Sequence, residues 1–203
     1  MMPSTDASSA IKPQRKPRIA TVSLAGCFGC HMSLLDIDER LFTLAEIVEF
    51  NRSPLTDIKI CGSCDIGLIE GGLCNSENVQ VLREFREACE VLVAVGACAI
   101  TGGLPAQRNS LDIGEILVDV YRGPDMAVPG SVTRRGLSAD SVIPCDPELP
   151  LPLARVHAIH DVVQVDHFLP GCPPSADAIW SLLTQILDGN SRPTLDLSLI
   201  HYD

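Results

Sequence analysis

Cys27, Cys30, Cys98 and Cys172 are the residues whose type and placement could do chemistry. Cys27 and Cys30 form a C-x-x-C inside Gly26–Cys27–Phe28–Gly29–Cys30–His31, Cys98 sits in Gly96–Ala97–Cys98–Ala99, and Cys172 sits in Pro170–Gly171–Cys172–Pro173–Pro174. Each thiol follows an apolar run of strand character, in a turn built of Gly, Ala or Pro. Four thiolates suit zinc or a [4Fe–4S] cluster. Zinc ribbons usually pair two C-x-x-C units, whereas here one such unit is joined by two lone cysteines, which favours the larger cluster. Glycines beside the thiols let the backbone approach sulfur and donate N–H groups to it. Pro173 and Pro174 remove donors and stiffen the wall.

Elements must carry these turns to one place. Ile19–Leu24 reads as the first strand, and a helix is expected over about Met32–Leu44 from the spacing of Leu34, Ile37, Leu41 and Leu44. Strands are expected at Ile47–Asn51, Ile66–Glu70, Val91–Val95 and Val162–Phe168. Helices are expected from Asn75 or Ser76 to Ala88 and from Ser175 to Leu187, the latter stopped by Gly189. Strand–helix alternation predicts an α/β fold with a doubly wound, mostly parallel sheet; the pattern does not give the order of strands, for which a flavodoxin-like order is preferred. In such a sheet ligands sit outside the carboxyl ends of the strands, where all four thiols would converge. Residues 1–17 read as a flexible N-terminal tail, 18–190 as one iron–sulfur domain, and 191–203 as a C-terminal tail. From about 102 to 156 the pattern loosens into a Pro- and Gly-rich insertion with a short helix near Ser110–Tyr121, a segment suited to docking.

Composition narrows the function. The 203 residues are 46% hydrophobic and 20% charged, the make-up of a folded globular domain. A net charge of −11 repels phosphate backbones and argues against nucleic acid. No apolar run approaches the roughly 20 residues of a membrane span. The N-terminus lacks an apolar export segment, so a cytoplasmic protein is expected. Nine cysteines in such a chain point to metal or redox chemistry before disulfides.

The other candidates carry less. Cys61, Cys64 and Cys74 could form a second site, but the first two precede a strand that the third follows, which sets them at opposite edges. Cys89 reads as core and Cys145 as incidental. Glu70 ends a buried strand on the thiol side and could accept hydrogen bonds near a cluster or relay protons. A solvated strand end is its plainer reading. His31 could donate to a sulfur or face a partner; a packed surface histidine is the alternative.

C-x-G-C after the first strand, G-A-C-A after a later one and P-G-C-P-P before a helix together resemble the small subunit of [NiFe] hydrogenases. The likeness is greatest to the cytoplasmic NAD-reducing, bidirectional group, and it covers nearly all the chain from Arg18. The resemblance implies that Cys27, Cys30, Cys98 and Cys172 bind the proximal [4Fe–4S] cluster. It implies a hydrogenase large subunit as partner, holding the Ni–Fe centre on its own C-x-x-C motifs, and diaphorase iron–sulfur and flavin subunits holding FMN and NAD. Larger hydrogenase small subunits carry two further clusters in a C-terminal extension and an export signal, neither of which is expected here. The related subunit of complex I-like quinone reductases has adjacent cysteines where this chain has Cys27–Phe28–Gly29–Cys30. A flavodoxin-like FMN electron carrier is a second reading, weakened by a cysteine-bearing turn where a Ser/Thr-rich phosphate loop would stand.

Overall fold

The structure is a computed structural model describing residues 15–58, 60–122 and 146–200. Its centre is a five-stranded parallel sheet. The strands are β1 (Arg18–Ser23), β2 (Glu49–Phe50), β3 (Cys64–Glu70), β5 (Cys89–Val95) and β7 (His167–Leu169), in the order β2-β1-β3-β5-β7. A second sheet pairs β4 (Leu73–Asn75) with β6 (Pro152–His157) antiparallel. Among the parallel strands the order is 2-1-3-4-5, the flavodoxin-like order expected, so the winding reverses between β1 and β3. Apolar β-branched residues fill the strands and are buried on both faces, as a covered parallel sheet requires.

One face packs α1 (Gly29–Leu35), α2 (Arg40–Ile47) and α6 (Ala176–Leu187) through Leu34, Leu44, Ile179, Leu182 and Leu183. The other packs α3 (Ser76–Ala88) and α4 (Gly96–Thr101) through Leu82, Phe85 and Ala99. Gly67 in β3 makes room for Phe85: a Cβ there would come within 2.9 Å of the ring. Asn75 caps α3 by accepting from Asn78 N at 2.8 Å, and Ser175 caps α6 by accepting from Ala178 N at 3.2 Å.

Three expected elements need correction. The helix over Met32–Leu44 is two helices, broken where Asp38 adopts φ 55°. Asp36, Asp38 and Glu39 crowd negative charge into this corner, and Asp tolerates the left-handed region better than most residues. Arg40 then fixes the second helix, donating to Ile37 O at 3.1 Å and to Asp177 on α6 at 2.7 Å. The strand at Ile47–Asn51 shrinks to Glu49–Phe50, with Ile47 closing α2. The strand at Val162–Phe168 starts only at His167. Val162, Val163 and Val165 instead pack against one core as a cover. Asp166 stands in for the ladder, its carboxylate accepting from Leu92 N at 2.8 Å while its N–H donates to Leu92 O at 3.0 Å.

The insertion is more ordered than its composition suggests. A 3-10 segment at Leu104–Ser110 leads to α5 (Ile113–Arg122). Arg108 donates to Leu153 O at 2.9 Å, and Asn109 bonds Val156 through both its amide oxygen (2.7 Å) and nitrogen (2.9 Å). Its proline-rich middle, with Cys145, lies outside the described residues. Among the described residues no helix is long and apolar enough to cross a membrane.

Candidate metal centre

The turn after β1 is built for close approach. Leu24 N donates to Glu70 O at 2.9 Å, and Ala25 and Gly72 exchange backbone hydrogen bonds at 3.2 and 2.8 Å. The ends of β1 and β3 are thereby stitched side by side. Phe28 takes φ 68° to start α1 and stacks on His31 with ring centroids 4.6 Å apart. Cys27 is exposed and accepts from Gly29 N at 3.3 Å; Cys30 is half-buried. Cys98 lies in the first turn of α4 after β5. Cys172 is exposed and follows Gly171, whose carbonyl accepts from Ala97 N at 2.8 Å, so the β7 turn is tied to the β5 turn.

These turns bring Cys98 within electrostatic reach of the other three expected thiols, Cys27, Cys30 and Cys172. Burial first, then the Glu70 carboxylate, then Cys98 and Cys27 push the Cys30 thiol far up. Burial also raises the Cys98 thiol, opposed by the Leu104 backbone and reinforced by Cys172, Cys27 and Glu70. Glycines surround the sulfurs. A Cβ on Gly96, which holds φ 83°, would collide with Cys30 Sγ; one on Gly103 would lie 2.8 Å from Cys98 Sγ; one on Gly29 would lie 3.1 Å from Cys27 Sγ and 3.9 Å from Pro173. A soft four-thiol donor set in a glycine cradle fits an iron–sulfur cluster. Its mutual repulsion, with a carboxylate beside it, calls for a positive centre to hold thiolates there.

Glu70 and His31 are neither solvated nor peripheral. Glu70 is 4% exposed and His31 4% exposed. Glu70 Oε2 accepts from Cys30 N at 3.0 Å, and Oε1 lies 2.6 Å from His31 Nδ1. A carboxylate can only accept, so Nδ1 carries the proton in that bond. His31 Nε2 reaches Thr21 Oγ1 at 2.9 Å, and Thr21 Oγ1 reaches Ser53 Oγ at 2.7 Å. Burial pushes the Glu70 carboxyl up, but His31, the Cys30 contact and Ser23 together bring it below its ordinary value. Thr21 and Ser53 were invisible as partners in the sequence, since β-strand threonines usually pack.

A second thiol group lies at the opposite, amino edge. The sulfurs of Cys61, Cys64 and Cys89 are all within 4.8 Å of one another, close enough to hold a metal ion. Cys64 and Cys89 are joined as a disulfide. Cys89 lies in the core as expected, and there it is joined to Cys64, a pairing that the reading of the cysteines places behind metal or redox chemistry. The reason is register, because Cys64 and Cys89 are direct partners at the starts of β3 and β5. Cys74 is not in this group; it lies on β4 with Arg108 beside it, separated as its place after β3 demands.

Comparison with known proteins fits this architecture. Residues 27–186 match the family described as NADH ubiquinone oxidoreductase, 20 Kd subunit. The chain is 43% identical over its whole length to the NAD-reducing hydrogenase HoxS subunit delta of Cupriavidus necator, covering 94% of that protein. It is 34% identical, over 86% of its length, to a subunit of the F420-non-reducing hydrogenase of Methanothermobacter marburgensis, of which it spans 54%. A crystal structure of an NAD+-reducing [NiFe]-hydrogenase in the H2-reduced state contains a chain 56% identical, superposing with a TM-score of 0.83 over 93% of this chain and 100% of that one. A [NiFeSe]-hydrogenase chain from Dm. baculatum shares the fold alone, at 16% identity and TM-score 0.54 over 93% of this chain and 70% of that one. The chain therefore belongs to the NADH ubiquinone oxidoreductase 20 Kd subunit family, and within it to the small subunits of NAD-reducing [NiFe] hydrogenases.

Proposed function

We propose that Cys27, Cys30, Cys98 and Cys172 hold one proximal [4Fe–4S] cluster. Through it the chain passes electrons between the Ni–Fe site of a hydrogenase large subunit and a diaphorase module that reduces NAD. The observation that carries this reading is the convergence of four thiols from three strand ends on one crevice, each thiol bordered by glycine or proline. A cluster bound there supplies one-electron transfer. The chain's own residues shape it. Gly29 N–H donates to Cys27 sulfur. Glu70 fixes the Cys30 backbone, His31 fixes Glu70, and Thr21 fixes the far side of the His31 ring. With its carboxylate fully engaged, Glu70 is a positioning residue for the Cys30 turn. Ni–Fe, FMN and NAD belong to the partners in this reading, and the assembly works in the cytoplasm. A four-cysteine cluster is coordinatively closed, so H2 activation must occur elsewhere. H2-dependent dye reduction tests this: the purified chain alone should show none, and adding the large subunit should restore it. Turnover by the chain alone, in a nickel-free sample, would overturn the proposal.

A further inference from the structure

We propose that Cys61 and the Cys64–Cys89 disulfide form a thiol–disulfide exchange site, whose co-substrates are small dithiol reductants and their disulfides. The site is independent of the cluster reading, since it lies at the other end of β3 and β5.

Three observations converge. Cys64 and Cys89 are 2% and 4% exposed, so an external thiol cannot reach their bond directly. Cys61 is half-buried, free, and packed against the same core, with its sulfur within 4.8 Å of both others. It is the least buried of the three sulfur-bearing residues. Its surroundings are cationic rather than anionic: burial pushes its thiol up, and Arg52 and Arg18 both act against that. Arg18 Nε is buried with no hydrogen-bond partner, while its Nη2 is held by Ser63 Oγ inside the C-x-x-C. Positive charge beside the sulfurs repels a metal cation and lessens, without reversing, the rise that burial imposes on the Cys61 thiol. The spacing alone admits a metal; the charge disfavours a cation, and a free thiol held within 4.8 Å of a disulfide has its exchange partner in place.

The steps balance. Cys61 thiolate attacks Cys64 Sγ; the Cys61–Cys64 bond forms, the Cys64–Cys89 bond breaks, and Cys89 leaves as thiolate and takes up the proton Cys61 released. No electrons are gained or lost. An external dithiol then attacks Cys61 sulfur, releasing Cys64 thiolate and leaving a mixed disulfide on Cys61. The dithiol's second sulfur displaces Cys61, so two electrons pass from the dithiol to the protein and the dithiol departs as a cyclic disulfide.

The test uses the assembled complex, treated with dithiothreitol under native conditions, acid-quenched, alkylated and mapped by peptide mass spectrometry. The wild type should yield both Cys64–Cys89 and Cys61–Cys64 linkages during reduction. Cys61→Ser and Cys61→Ala should start with the Cys64–Cys89 link and unchanged iron, and should lose that link to dithiothreitol at least about tenfold more slowly. Cys74→Ser should match the wild type. Reduction of both Cys61 variants at the wild-type rate would overturn the proposal. So would complete absence of the Cys61–Cys64 linkage, or three free thiols with zinc bound in the untreated complex.

Discussion

Glu70 satisfies two buried donors that belong to different jobs, the Cys30 backbone and the His31 ring, at 3.0 and 2.6 Å. Replacing it with Ala strands both, at a cost of about 1–3 kcal/mol. Glu70→Ala should therefore melt earlier and hold less iron, while Glu70→Gln, which keeps an acceptor for Cys30 N–H, should retain most of it. Equal loss in both would mean that charge rather than positioning is at stake. Gly96 makes a sharper case. Its φ of 83° disfavours any side chain by about 1–2 kcal/mol, and a methyl would run into Cys30 Sγ. Gly96→Ala should lower iron content in the purified chain, and unchanged iron would show that the cradle is looser than its geometry. At this scale the four crevice thiols could be grouped from the sequence, because strand ends are legible from hydrophobic runs. The Cys64–Cys89 pair could not, because both residues precede the apolar cores of their strands and only the register makes them neighbours.

Among the elements, β3 is anchored at its start by charge as well as by pairing. Arg15 donates to both carboxylate oxygens of Asp65, at 2.7 and 2.6 Å, and Arg18 N donates at 2.6 Å. These hold the Asp65 carboxyl below its ordinary value. A depressed folded-state carboxyl stabilises above its unfolded value, about 3.9, and that stabilisation is lost as pH falls through the lower folded value. Asp65→Asn should have a lower urea midpoint than the wild type at neutral pH, the gap closing in acid below about pH 4. A gap independent of pH would assign the effect to packing. Long periodic elements such as α3 and α6 were readable, although Asn75 and Ser76 both stood open as the cap of α3 and Ser175 read as the first residue of α6 rather than its cap. The α1–α2 break was not, since Ile37 keeps the helical spacing while Asp38 turns the chain. Nor was β7, where apolar valines serve as a cover and an aspartate side chain completes the edge.

Across the whole molecule, the flavodoxin-like order gathers the turns after β1, β3, β5 and β7 at one edge and leaves a separate group of three sulfurs at the other. Strand order itself is set by crossovers that periodicity does not encode; the alternation of elements gave the class, and the likeness of the cysteine motifs gave the family. The central claim is that the four strand-end thiols hold one cubane. Iron, acid-labile sulfide and zinc should be counted in the anaerobically purified chain and in Cys98→Ser, Cys172→Ser and Cys74→Ser. The account predicts about four iron and four sulfide per chain, depleted in Cys98→Ser and Cys172→Ser and intact in Cys74→Ser. Zinc without sulfide, or full iron in the first two variants, would contradict it.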